Sequence, residues 1–203
     1  PVDAAVNCPS LEAFTNGVTS AAKSGLTISG GWGADWTRDL VANPTIVMPP
    51  EGFVKKLPCL YFRQSTTNTF SGLVLTGGSH GFYAPYATPD IGDNNEDWNH
   101  HTFSQMVVTN NVTGFYVCCR PGAAVLSSLV ADNEKWGFYR SWDHGGRSFF
   151  NNCTFAGNLT GVENAHYYQA PGWFRNCVFA GNVLNYKTNA AGGNWFGNCC
   201  FGP

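Results

Sequence analysis

Charge is scarce in this chain. Only 12% of its 203 residues are Asp, Glu, Lys or Arg, and the formal net charge is -2. A nucleic-acid partner demands a basic face, which 11 Lys and Arg against 13 Asp and Glu do not supply. Long apolar runs are missing too. No stretch approaches the roughly 18 residues that cross a bilayer as a helix, so no membrane span is expected. Only 2 methionines occur and neither opens the chain, so a sequence starting at Pro1 is expected to be a processed product or a fragment. No Cys-x-x-Cys pair exists and His100-His101 lies far from any Cys, which leaves zinc without a ligand spacing and gives no reason to expect a cofactor.

What the chain does have is glycine, aromatics and cysteine: 24 Gly, 15% aromatic residues and 8 Cys. Glycine and rings with little charge suit a stacked β structure with wet turns and a ring-filled core. An even number of cysteines favours disulfides and an oxidising, extracellular location. All of Cys8, Cys59, Cys118, Cys119, Cys153, Cys177, Cys199 and Cys200 are candidates, and connectivity cannot be read from sequence.

The last quarter of the chain repeats itself. Phe149-Phe150-Asn151-Asn152-Cys153-Thr154-Phe155-Ala156-Gly157-Asn158 returns as Trp173-Phe174-Arg175-Asn176-Cys177-Val178-Phe179-Ala180-Gly181-Asn182, and again as Trp195-Phe196-Gly197-Asn198-Cys199-Cys200-Phe201. The spacings are 24 and 22 residues. A period in this range means a solenoid, in which each unit buries its apolar face by stacking on the next. Phe150, Cys153 and Phe155 are expected to point inward, with Asn152 turning the corner, since Asn tolerates left-handed backbone. Phe150, Phe174 and Phe196 then form an aromatic column. Cys153, Cys177 and Cys199 share a position, so two could pair as a disulfide or all three could stand as a thiol ladder.

Traced backward, the period takes in Ala124–Asn133, Phe103–Asn110 and Phe70–Gly77, giving about six coils if 79–101 is an insertion. Upstream, Leu11, Phe14, Val18 and Ala21-Ala22 fall on one helical face, so a helical cap is expected over 1–25, followed by opening coils over 26–69 and repeat coils over 70–203. The whole is one domain. The spacing Phe150, Cys153, Phe155, Asn158 also fits a leucine-rich repeat. Phe replaces Leu, however, and the return segment from Thr160 to His166 has no helical stripe, which favours an all-β, right-handed parallel β-helix.

Ser29-Gly30-Gly31-Trp32, Trp36-Thr37-Arg38-Asp39 and Asn43-Pro44-Thr45-Ile46 together resemble the opening coils of secreted right-handed β-helix proteins. The Phe-x-Asn-Cys-x-Phe-x-x-Asn repeats are similar to coils of the same broad superfamily, which includes polymorphic outer-membrane and adhesin-like proteins. The resemblance spans about two thirds of the chain and departs at Met48-Pro49-Pro50-Glu51-Gly52, where a simple Asp-Gly turn is usual. It implies a fold, and a choice among adhesins, structural proteins and polysaccharide-cleaving enzymes.

Candidate sites are scattered. Asp93, Asn95 and Asp97 alternate as in a calcium loop, but Trp98 stands where the loop needs Gly and Ser104 where it needs Glu. Asp143, His144, Arg147, Glu163, His166 and Lys187 lie in return segments, and the enzyme alternative rests on Asp143, Glu163 and His166. Glu163 and Lys187 share a repeat offset and are expected to be neighbours. Trp98, Trp136, Trp142, Tyr167 and Tyr168 are rings that could stack on sugars. Asn111, Asn152 and Asn158 open N-glycosylation sequons, with Asn111 and Asn158 expected to be the better acceptors and Asn152 a corner residue. Trp195, Phe196 and Phe201 lie in the last repeat of this sequence, so either the chain is expected to continue beyond it or that strand edge is expected to be a template for another chain. The expected function is a secreted structural or adhesive subunit that self-associates head to tail and meets surface glycans. The alternative is a polysaccharide-cleaving enzyme or glycan-binding spike on the same fold.

Overall fold

The computed structural model describes residues 27–61, 68–84, 100–117, 122–141, 148–165, 172–188 and 194–203. The expected helix before residue 25 lies outside them. Twenty short strands fall into three sheets, every pairing between them parallel, with no helix among the described residues.

The first sheet runs Thr27–Ser29, Thr69–Ser71, His100–Ser104, Gly122–Leu126, Ser148–Asn151, Gly172–Arg175 and Trp195–Gly197. The second runs Thr45–Val47, Leu73–Thr76, Val107–Thr109, Leu129–Ala131, Thr154–Ala156, Val178–Ala180 and Cys200–Phe201. The third, which carries the return path, runs Leu60–Tyr61, His80–Ala84, Thr113–Val117, Trp136–Arg140, Thr160–Asn164 and Leu184–Thr188. This is a parallel β-solenoid of about five turns, complete from Thr69 to Thr188. An interrupted opening turn precedes them, so the coils traced by period are recovered. A strand along Thr160–Asn164 rules out the leucine-rich-repeat alternative, which would need a helix there. The insertion is shorter than the period implied. His80–Ala84 is a regular third-sheet strand and His100–Ser104 a regular first-sheet one, so neither belongs to it.

Two left-handed corners shape each turn. The first is Gly72, Gln105, Ser127, Asn152, Asn176 and Asn198, and the second Gly77, Asn110, Asp132, Gly157 and Gly181, all with positive φ. Left-handed backbone bends the chain sharply and suits Gly and Asn. At the first corner the ladder is not interrupted: Gln105, Ser127, Asn152 and Asn176 each donate their backbone N–H to a carbonyl of the next turn, at 2.9–3.0 Å. Gly72 has a further reason to be glycine. A Cβ there would lie 2.4 Å from Leu40 Cδ2 and 2.7 Å from Arg38 Nη2. Arg38 staples this corner, donating to the Gly30 carbonyl, Gln105 Oε1 and Ser71 Oγ. Asp39 accepts the backbone N–H groups of Val41 and Ala42, bonds that hold its carboxyl below the usual range. The Gly-Gly and Arg-Asp motifs therefore have structural roles.

Inside, rings stack turn on turn. Phe150 lies 4.7 Å from Phe174 at 2°, and Phe174 lies 5.0 Å from Phe196 at 17°. A second column joins Phe155, Phe179 and Phe201 at 5.1 and 4.9 Å. Both columns follow from inward residues recurring at one period.

Just past the second corner, four asparagines form a buried ladder: Asn111, Asn133, Asn158 and Asn182. Each of the first three donates Nδ2 to the Oδ1 of the next, at 3.2, 2.9 and 2.9 Å. Asn158 Nδ2 also donates to the carbonyls of Val130 and Ala156, and its Oδ1 accepts the backbone N–H of Asn133. An apolar replacement removes all of these at once and strands buried polar groups, each costing about 1–3 kcal/mol. Asn158→Leu is therefore expected to lower stability by about 3 kcal/mol or more, read as a shift of the urea midpoint. A shift equal to that of an exposed-site control would contradict the ladder.

Candidate functional site

Alternation along each strand sends one set of side chains into the core and the other onto an outer face, and register turns each outer position into a column. The second sheet's outer column is uncharged: Ile46, Val74, Val107, Leu129, Thr154, Val178 and Cys200. The third sheet carries Tyr61, Tyr83, Tyr116, Tyr139, Glu163 and Lys187 in register. Its tyrosine rings follow one another at 5.7, 5.0 and 5.4 Å. His80 stacks on Tyr83 at 4.3 Å, and burial lowers its pKa to about 4, so it is neutral at physiological pH.

Glu163 and Lys187 are neighbours, as their shared offset implied. Lys187 Nζ lies 2.8 Å from Glu163 Oε1, and Trp136 Nε1 donates to Oε2 at 2.7 Å. The carboxylate is nearly buried, while Lys187 is half exposed and its pKa is raised by the bond to Glu163. Both register neighbours of Glu163, Tyr139 and Lys187, lack a carboxylate, whereas glycoside hydrolysis uses two. Trp136, expected as a sugar-stacking ring, is half buried. Its N–H is committed to Glu163 and its ring sits 4.5 Å from Tyr139.

The first sheet's outer face has the strongest binding character. Phe149, Trp173 and Trp195 are in register one residue before the inward phenylalanines, with centroids 5.7 and 5.9 Å apart. Trp173 is 40% and Trp195 52% exposed, and Trp195 lies across its own strand. A Cβ on Gly197 would meet Cη2 of that indole at 2.4 Å, so the missing side chain lets the ring lie flat. Two residues along each strand come Asn151, Arg175 and Gly197. The corner amides run beside them, Asn198 Nδ2 donating to Asn176 Oδ1 and Asn176 Nδ2 to Asn151 Oδ1, each at 3.4 Å. The rings are inclined to one another by 60° and 43°, so each exposed indole, beside a guanidinium and amides, can stack on a sugar face of its own while the polar groups bond its hydroxyls. Sequence reasoning used Trp173 and Arg175 only as repeat markers. The signal lay in aligning the position before each inward Phe across three repeats.

Asp143, His144, Arg147, His166, Asp93, Asn95, Asp97, Trp98, Trp142, Tyr167, Tyr168, Cys8, Cys118 and Cys119 lie outside the described residues. Among the described residues no cluster of His, Cys, Asp or Glu is arranged for a metal. The order of the sequons is reversed: Asn111 and Asn158 are 0% and 1% exposed and locked in the ladder, whereas corner residue Asn152 is exposed. The interface trio divides as well. Phe196 and Phe201 continue the core stacks, whereas Trp195 belongs to the lateral strip.

Disulfides were expected, yet Cys59, Cys153, Cys177, Cys199 and Cys200 are free thiols. The thiols instead donate to backbone, Cys153 to the Val125 carbonyl at 3.2 Å and Cys177 to that of Phe150 at 3.6 Å.

No protein-family model, curated protein or solved structure matches this chain. The resemblance drawn from its motifs holds for the solenoid fold and identifies no family.

Burial pushes Cys59 up to about 12, and the hydrogen bond with Cys177 together with burial raises Cys153, so neither offers thiolate at mild pH. Alkylation of native protein at pH 8, mapped by peptide mass, is expected to modify exposed Cys200 and to spare Cys59 and Cys153 until denaturant is added. Recovery of a disulfide-linked peptide from the 153, 177 and 199 positions would contradict the thiol column.

Proposed function

We propose that this chain is a structural and adhesive β-solenoid that holds an extended polysaccharide along the outer face of its first sheet. The observation that carries the reading is the strip of Phe149, Trp173 and Trp195, with Trp195 flat over Gly197. Exposed aromatic surface on a monomer is normally limited, and rings with polar neighbours mark interaction sites. Turns repeat about every 4.8 Å, so the rings offer a regular series of contacts to a regular polymer. The enzyme alternative has less support, because Glu163 is committed to Lys187 and Trp136.

The test is co-sedimentation with a panel of insoluble polysaccharides. Trp173→Ala combined with Trp195→Ala is expected to weaken binding at least about tenfold, equivalent to 1.4 kcal/mol, with the fold intact by circular dichroism. Gly197→Val keeps both rings but props Trp195 off its strand, and is expected to weaken binding in the same direction. Binding unchanged by all three substitutions, or cleavage of a polysaccharide, defeats the adhesive reading.

A second reading, head-to-tail self-association, has its own observation. Phe196 and Phe201 stack on the turn beneath, yet Phe201 stays 51% exposed, and strands Trp195–Gly197 and Cys200–Phe201 pair on one side only among the described residues. In this reading a turn from a second copy pairs with that edge, and such a contact grows as an open filament. Light scattering against concentration is expected to show growing mass, abolished by Phe201→Glu. A constant monomer mass at high concentration overturns it.

A further inference from the structure

We infer that the saccharide held by the first-sheet strip is anionic and that Arg175 reads its charge; this rests on the adhesive reading and narrows its ligand. Arg175 lies two residues beyond Trp173 on one strand, so both side chains leave the same face. Its register neighbours are Asn151 on one side and Gly197 on the other, so neither carries a charge.

The guanidinium is exposed and no described carboxylate pairs with it. The described ion pairs lie elsewhere, between Lys55 and Glu134 and between Lys187 and Glu163. No acid occurs among the strip residues Phe149, Asn151, Asn152, Trp173, Asn176, Trp195, Gly197 and Asn198. In a chain of net charge -2, this is a local positive spot among uncharged strip residues. Asn151 accepts through Oδ1 from Asn176, which leaves its own Nδ2 donors for a ligand. The site therefore offers donors, in a planar fork beside the Trp195 ring that lies over Gly197. That arrangement fits two oxygens of one carboxylate or sulfate held out from a sugar ring that rests on an indole.

Position 197 lacks a side chain, and the Trp195 indole lies in the space a Cβ there would fill, which sets that ring next to Arg175 in the register column. A charged substituent can thus reach the guanidinium while its ring keeps contact with Trp195.

Tryptophan fluorescence titration of the full chain tests this with three probes: an oligogalacturonate, a sulfated dextran oligosaccharide and a neutral cello-oligosaccharide. At least one anionic probe is expected to bind at least about tenfold more tightly than the neutral one, with the preference declining as salt rises. The carboxylate and sulfate arms identify which anion is read. Arg175→Gln is expected to erase the preference while leaving the weak neutral binding. Arg175→Lys, a point charge without the fork, should restore only part of it. Equal binding of neutral and anionic probes overturns the inference, as does a preference that survives Arg175→Gln. If the neutral probe binds as tightly and Trp195→Ala removes that binding, the adhesive reading stands and only its anionic form falls. If none of the probes binds, and the polysaccharide panel likewise fails, both fall.

Discussion

Register is the constraint on which everything else in this molecule depends, and the buried asparagine ladder is its clearest device. Asn111, Asn133, Asn158 and Asn182 sit where the chain leaves the second corner, and each donates to the residue one turn on or to backbone of the turn before. A slip of one residue would swap the inner and outer sets and break these bonds together. The left-handed corners make the ladder possible, because they bend the chain without interrupting the carbonyl stack. Backbone and side chain thus agree on one pairing.

Once register holds, a single residue choice becomes a column. Inward phenylalanines become continuous ring stacks, and outward ones become surface ladders. The three faces differ because their outward residues differ. The second sheet repeats small and β-branched side chains, the third repeats tyrosine until it changes to Glu163 and Lys187, and the first ends in Phe149, Trp173 and Trp195. The third-sheet charges meet each other and are neutralised. Arg175 meets Asn151 and Gly197, and no described carboxylate pairs with it. That contrast, rather than the number of aromatics, separates a structural ion pair from a site with unmet bonding capacity.

Two departures from expectation fall at repeated positions. Cysteines at one repeat position look ready to pair, but they stand as free thiols that donate hydrogen bonds to backbone carbonyls. Asparagines in sequons look available, but the ladder commits Asn111 and Asn158 in the folded state. Asn152, passed over as a corner residue, is the one in the open because a left-handed corner projects outward.

Much of the fold was legible in the residues alone. Period, inward phenylalanines, the Asn corner at 152, 176 and 198, and the adjacency of Glu163 to Lys187 all follow from aligning copies, because stacking converts equal offsets into contact. The insertion was overextended because His80–Ala84 carries the Gly-Phe-Tyr of the third sheet, shared with 114–116 and 137–139, rather than the Asn-Cys corner by which the repeats were aligned. Less of the site could be read. Whether Trp195 stands upright or lies over Gly197, whether Arg175 finds an acid, and whether a given amide is spent internally depend on neighbours one turn away. The sequence determined which residues recur, and therefore the solenoid and its columns. Only the tertiary structure decided which polar groups were left unsatisfied, because hydrogen-bond partners here are set across turns rather than along the chain.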